Sequence, residues 1–142
     1  MTEITLLGPG DEARLRNVLP GVFDLPLRDS LVREFLHDSR HHLAVALDDD
    51  RVIGIASAVH YLHPDKDPEL WINEVAVAPE YRGRGLGKRL IQALLQLAGE
   101  LGCREAWVLT EADNNAAQAL YASAGGVRSD VDPVAFAFEI GP

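Results

Sequence analysis

Apolar and polar positions along the chain follow two periods, one near 2 and one near 3.6, and the switches between them mark out the elements. Residues 4–7 are a short apolar run stopped by Gly8-Pro9-Gly10 and read as a first strand. Asp11 then precedes Ala13, Leu15, Val18 and Leu19, a spacing that predicts a capped helix ended by Pro20-Gly21. After a loop over residues 22–27, Leu31, Val32, Phe35 and Leu36 recur at helical spacing from a start near Asp29 or Ser30. Residues 43–47 and 52–59 flank Asp48-Asp49-Asp50 and predict a hairpin with an acidic turn. A polar, proline-bearing connection over residues 60–68 leads to a strand over 70–77. Simple alternation there puts Leu70, Ile72, Glu74 and Ala76 on one face and Trp71, Asn73, Val75 and Val77 on the other, unless a bulge resets the count. A carboxylate in the middle of such a strand is unusual and asks for a polar surrounding.

The second half of the chain is patterned more sharply. Leu86, Leu90, Leu94, Leu97 and Leu101 form the stripe of an amphipathic helix that stops at Gly102. Residues 106–109 read as a buried strand. Asp113 or Asn114 can cap a last helix ended by Gly125-Gly126, and residues 135–140 alternate as a closing strand. Repeats, linkers and low-complexity segments are not found.

Composition narrows the classes of function. At 142 residues, with 47% hydrophobic and 25% charged, the chain reads as one globular domain over 1–142. A formal net charge of −9 argues against nucleic acid or an anionic membrane as partner and suits a cationic small molecule or a basic peptide. The single Cys103 cannot form an internal disulfide and reads as a small buried filler. The five histidines lack a partner at zinc-site spacing, and the three aspartates read as a hairpin turn in water, so no metal site is expected. No basic, apolar leader and no apolar run near the ~20 residues of a membrane span is present, so a cytoplasmic protein is expected.

The chemistry concentrates where the strand over 70–77 meets the leucine-striped helix. Arg82-Gly83-Arg84-Gly85-Leu86-Gly87 joins them. Glycines let a backbone approach a ligand closely, and the unpaired N–H groups of a first helical turn favour an anion, so this is a recipe for holding phosphate. A Walker A loop fails, because Gly87-Lys88 is followed by Arg89 and Arg82 stands where the first glycine belongs. A dinucleotide fingerprint fails too, because its third glycine would fall on Lys88.

That loop resembles the acyl-CoA pyrophosphate loop of the GNAT superfamily of N-acetyltransferases, and residues 75–81 are similar to the strand that enters it. A second constellation, Asn114, Ala117, Leu120, Tyr121 and Gly125, matches the spacing of that family's second motif. One departure stands out, since the family's usual Gly-Phe after this helix is Gly125-Gly126 here. The resemblance implies an α/β (α+β) GNAT fold, a mixed sheet of about six to seven strands flanked by about four helices, splayed at the acyl-CoA site. It implies acetyl-CoA as donor, held by Val75, Ala76, Val77, Arg82, Gly83, Arg84, Gly85, Leu86, Gly87, Lys88, Asn114 and Ala117. Tyr121 is the implied general acid toward the departing thiolate. Glu74 is the candidate base for the acceptor amine or, alternatively, a carboxylate that binds a cationic acceptor. Residues 22–36, Asn73, His60 and Tyr61 are candidates for the acceptor side. Residues 71–84 and 132–139 resemble aminoglycoside 3-N-acetyltransferases, which implies a small cationic amine. A protein or peptide acetyltransferase and a non-catalytic acyl-CoA-binding domain stay open as alternatives. Many members of the superfamily are homodimers, so that assembly is implied as well.

Overall fold

The computed structural model of the protein describes residues 2–141. Met1 and Pro142, the two ends of the span read as one domain, lie outside the described residues. The alternating runs pair into one sheet of five strands, in the order β1 (Thr2–Leu7), β2 (His41–Asp48), β3 (Arg51–Tyr61), β4 (Glu69–Val77) and β5 (Glu105–Val108). Helix α1 (Asp29–His37) packs against β2 on one face. Helix α2 (Leu86–Glu100) crosses the other face, with α3 (Asn115–Ser123) beside it. The first four strands pair antiparallel, and β5 joins β4 in parallel after the crossover through α2.

Because both faces of the sheet are covered, its central strands read as unbroken apolar runs rather than alternating ones. Residues 43–47 of β2 are all buried for this reason. Toward α2 the sheet offers Ala44, Ala46, Ile53, Ala56, Leu70 and Ile72, against Leu86, Leu90, Ile91, Leu94 and Ala98 of the helix. The alanines keep this layer thin, so α2 lies close to the strands. Toward α1 the sheet offers Leu43, Val45, Leu47, Val52 and Ile55, covered by Leu15, Val22 and Leu36.

Among the described residues, five strands and three α-helices are fewer than the family resemblance implies, and two segments account for much of the difference. The helix expected over residues 11–19 shrinks to a 3-10 segment, Glu12–Arg16. The Asp11 carboxylate accepts the Gly8 N–H at 2.8 Å instead of capping a helix. Val18 then bridges to Val52, and the Leu19 N–H donates to the Val52 carbonyl at 3.0 Å. Pairing with the sheet outcompetes helical propensity there. The closing strand expected over 135–140 is the second correction: these residues form no strand and stand exposed. Alternation shows that a segment can be a strand, but an edge has to be met for it to become one.

The third correction concerns β4. Glu74 pairs with Ser57 and Ile72 pairs with Ala58, which leaves Asn73 as an extra residue in the ladder. This bulge moves every later side chain to the opposite face. Leu70, Ile72, Val75 and Val77 all pack toward α2, while Ala76 packs toward the α1 layer. Glu74 therefore leaves the face that simple alternation assigns it together with Leu70 and Ile72. At the bulge β4 also parts from β5: their pairing ends at Ile72 and Val108, although β4 continues to Val77 along β3.

Leu90 is fully buried where α2 meets the sheet. Leu90→Ala should lower unfolding free energy by about 2–5 kcal/mol, read from urea denaturation with an unchanged m-value.

Candidate active site

The loop between β4 and α2 is held open by its own backbone. Gly83 and Gly85 have φ of +77° and +76°, in the left-handed region that glycine adopts without a steric penalty. A Cβ built on either would meet no protein atom within 4 Å, so their Hα faces look onto free space. The first bond that closes onto the loop runs from the Arg89 N–H to the Gly85 carbonyl at 3.2 Å. The N–H groups of residues 83–88 consequently have no protein acceptor among the described residues. That run, at the positive end of a 15-residue helix, makes an anion cradle.

The arginines of the loop are partly spoken for. Arg82 Nε donates to the Val77 carbonyl at 3.0 Å, tying the loop back to the last residue of β4. Arg84 donates to the Glu80 carbonyl at 3.3 Å, and its guanidinium lies 4.9 Å from the centre of the Tyr81 ring. Both side chains are exposed, so they add positive charge at the cradle as well as bracing it. Lys88, half-buried on the first turn of α2, adds a third cation.

Gly87 does a different job. A Cβ there would come within 3.1 Å of Leu120 Cδ2, so its lack of a side chain lets α3 lean on the first turn of α2. This contact brings the two motifs together, although 27 positions separate Asn114 from Gly87 in the chain. Asn114 is the N-cap of α3, its Oδ1 accepting the Ala117 N–H at 3.0 Å. Both residues proposed from the second motif's N-terminal half are thus engaged in one cap, which leaves the Asn114 amide nitrogen outside that bond. Tyr121 is half-buried against the α2 layer, and burial raises its hydroxyl above the usual phenol range, so it stays protonated at neutral pH. The Gly125-Gly126 departure has a local cause. The Gly126 N–H donates to the Tyr121 carbonyl at 2.9 Å, and a Cβ on Gly126 would lie 2.9 Å from that same oxygen. The turn that ends α3 closes directly under Tyr121, where a Phe would have to shift it.

On the α1 side of the sheet lies a cavity of about 410 Å³. Asn73 and Glu74 reach it from the bulge of β4, Ser57 from β3, Phe35 from α1, and Phe23 to Arg28 from the loop before α1. The Glu74 backbone N–H donates to Ser57 Oγ at 3.3 Å, while its carboxylate has no hydrogen-bond or ion-pair partner among the described residues. Asp24 adds a second carboxylate to the rim and Arg28 a cation. Residues 23–27 of the loop before α1 line the cavity, whereas Ser57 was not legible: nothing in the sequence marks it as the residue opposite the bulge.

His60 and Tyr61 do not reach this cavity. His60 Nδ1 lies 2.7 Å from His42 Nε2, and burial, with His60 beside it, pushes the His42 imidazole down to about 4. Tyr61 accepts from Trp107 Nε1 at 2.6 Å and donates to Glu69 at 3.3 Å, while the Trp71 and Trp107 rings stack at 5.4 Å. Cys103 is half-buried against the α2 layer, as a filler should be, and burial pushes its thiol up. Among the described residues no cluster of three or more His, Cys, Asp or Glu could hold a metal ion, and no helix is long and apolar enough to cross a membrane.

The acidic hairpin turn supplies a brace that sequence patterning did not reveal. Asp48 accepts from the Tyr81 hydroxyl and from Arg51 at 3.1 Å, and Arg51 also donates to the Tyr81 oxygen at 2.8 Å. Tyr81 closes the short 3-10 turn Pro79–Tyr81 that feeds the cradle, so the hairpin anchors the loop from outside.

The model of the acetyltransferase (GNAT) family matches residues 13–125. N-alpha-acetyltransferase 30 of Schizosaccharomyces pombe is 34% identical over 103 residues, 72% of this chain and 69% of that protein. Mycothiol acetyltransferase of Paenarthrobacter aurescens is 40% identical over 74 residues, 50% of this chain but only 23% of that protein. An aminoglycoside acetyltransferase from an uncultured soil metagenomic sample, solved with sisomicin, superposes with a TM-score of 0.81, covering 97% of both chains at 19% identity.

The brace has a definite pH signature. The Tyr81 hydroxyl and then Arg51 hold the Asp48 carboxyl below its ordinary value, and Asp48 holds the Tyr81 phenol above its own. A depressed carboxyl contributes stability that is present above pH 3.8 and is lost as pH falls through the lower folded value. A raised phenol contributes stability below pH 10 that is lost as pH rises through the higher folded value. Tyr81→Phe should therefore lower Tm across the neutral range, with the gap to wild type shrinking toward strong acid and strong base in calorimetric scans.

Proposed function

The chain belongs to the acetyltransferase (GNAT) family of acetyl-CoA-dependent N-acetyltransferases, and on that footing we propose that it works as one domain acetylating the primary amine of a small cationic molecule. The observation that carries the acceptor half is the bulge of β4, which turns an unpartnered Glu74 carboxylate into a cavity walled by Ser57 and residues 23–28. Glu74 and Asp24 attract a cation there, in keeping with the net charge of −9.

In this reading the N–H groups of residues 83–88 hold the pyrophosphate of the donor, with charge from Arg82, Arg84 and Lys88. The pantetheine arm runs along the open edge of β4 past Val75, Ala76 and Val77, where β5 has splayed away, toward Ala117 and Asn114 at the mouth of α3. The backbone of Val77 is the candidate to meet the oxyanion. The acceptor amine arrives as an ammonium, and Glu74 takes its proton directly or through one water, leaving a lone pair to attack the thioester carbon. As the C–N bond forms and the C–S bond breaks, the Tyr121 hydroxyl gives its proton to the departing sulfur, and the proton that the new amide nitrogen sheds to solvent restores the phenol. Its raised phenol supports an acid that is protonated at working pH. Asn73 orients the acceptor beside Glu74. Holding both substrates in one frame supplies much of the rate.

A second acceptor class, a peptide N-terminus, is favoured by the 34% identity to an N-alpha-acetyltransferase. Release of CoA measured across aminoglycosides, polyamines, amino acids and short peptides separates the two. Turnover confined to peptides overturns the small-molecule reading.

Two sets of variants test the machinery. Gly85→Glu puts a carboxylate where the cradle's free space lies, so acetyl-CoA affinity in isothermal titration should fall by at least tenfold; unchanged affinity would sink the loop assignment. Tyr121→Phe should cut kcat roughly 10²–10⁴-fold with little change in acetyl-CoA affinity. For Glu74→Gln, a similar loss of kcat together with the acidic limb of the pH–rate profile marks a base. A raised KM with kcat intact marks a carboxylate that only binds the cation.

A further inference from the structure

The cavity that Glu74 reaches is lined unevenly. Much of its lining is apolar: Phe23 and Leu25 come from the loop before α1, Leu31 and Phe35 from α1, and Leu43 from β2. Two of these are left in contact with water, Leu25 at 77% exposure and Leu31 at 46%. Large apolar side chains gathered around a cavity and still wet mark a surface that an apolar ligand covers. The uncharged polar side chains of the lining are Ser57 and Asn73. Ser57 Oγ already accepts the Glu74 N–H at 3.3 Å, so little is left over to meet a hydroxyl-rich molecule.

Charge is distributed just as unevenly. Glu74 and Asp24 are the carboxylates of the lining, and Arg28 is its cation. None of the three has an ion-pair partner among the described residues. Two carboxylates against one guanidinium leave one negative charge in excess, which one ammonium balances. A second ammonium on the same molecule finds no surplus carboxylate and is repelled by Arg28.

We propose that the acceptor is a lipophilic monoamine, a single primary ammonium on an alkyl or arylalkyl body. Its ammonium sits at Glu74 and its body lies along Phe23, Leu25, Leu31 and Phe35, while Arg28 turns polycations away. At about 410 Å³ the cavity stands near the small end of ligand pockets, which run from roughly 300 to 1,000 Å³, and it suits a body of that kind. A polyhydroxylated polycation, the acceptor class that the resemblance over residues 71–84 implies, fares worse. Its hydroxyl groups would leave water for an apolar wall, and its further ammonium groups would face Arg28. The inference rests on the reading of this cavity as the acceptor side of an N-acetyltransferase, and the reaction is unchanged. The acetyl group moves from sulfur to nitrogen, CoA leaves as the thiol, and one proton of the ammonium ends in solvent.

Release of CoA by the full chain is measured with n-butylamine, n-pentylamine and n-hexylamine, which share one basicity, and with spermidine and sisomicin. Each methylene laid on the wall should raise kcat/KM about fourfold. On that basis n-hexylamine should exceed n-butylamine by roughly tenfold or more, and should exceed both polycations. Arg28→Glu should raise the spermidine to n-hexylamine ratio of kcat/KM by roughly tenfold. Leu25→Ser combined with Leu31→Asn, at two exposed positions, should flatten the chain-length series with far-UV circular dichroism and acetyl-CoA affinity unchanged. Three results overturn the lipophilic acceptor and leave the small-amine acetyltransferase standing: a flat series in wild type, a higher kcat/KM for spermidine or sisomicin than for n-hexylamine, or an unchanged ratio in Arg28→Glu. Acetyl-CoA binding in titration without CoA release by any of these amines overturns that reading and this inference together.

Discussion

The ladder between β3 and β4 carries one residue too many, Asn73, and the site geometry follows from how the sheet absorbs it. Ahead of the bulge, Leu70 and Ile72 point into the layer under α2; beyond it, Val75 and Val77 do. The core therefore stays apolar on both sides of the irregularity, and Glu74 is delivered to the opposite face without leaving a charge buried under a helix. Burying an unpaired carboxylate there would cost several kcal/mol, so the bulge reconciles a mid-strand carboxylate with a packed strand. The same irregularity coincides with the end of the β4–β5 pairing, so the strands part at the position where the carboxylate turns toward the α1 side.

Around that strand, the parts divide labour residue by residue. Three alternating glycines look alike in the sequence but act differently: Gly83 and Gly85 hold a left-handed backbone with free space beyond it, while Gly87 clears room for Leu120. The acidic hairpin turn, far away in sequence, steadies the entry to the loop through Asp48, Arg51 and Tyr81. Asn114 closes the first turn of α3, and Gly126 closes its last beneath Tyr121. The glycine-rich loop, the Tyr121 phenol and the unpartnered Glu74 carboxylate are each held by a packed element, the loop by the start of α2, Tyr121 by α3 and Glu74 by β4.

Much of the fold and of the glycine-rich loop was legible because it depends on local pattern. The leucine stripe of α2, the hairpin around residues 48–50 and the strand leading into Arg82–Gly87 are set by periodicity and by turn chemistry, which act over a few residues. The first helix misread for the opposite reason: Ala13, Leu15, Val18 and Leu19 have helical spacing, but Val18 meets Val52, and a contact across 34 positions cannot be seen in a window of seven. His60 and Tyr61 were placed near the acceptor by their position in a polar loop. The structure gives one to His42 and the other to Glu69 and Trp107.

By itself the sequence determined most of the element types, the glycine-rich loop and its kinship with acetyl-CoA-dependent enzymes, because glycine spacing, caps and apolar period are local and chemical. Only the tertiary structure decided which face Glu74 takes, which residues wall its cavity, and that residues 134–140 pair with no strand among the described residues. Those outcomes depend on register, and register is settled by strands that pair across long separations. A single inserted residue changes it completely while leaving every local signal as it was.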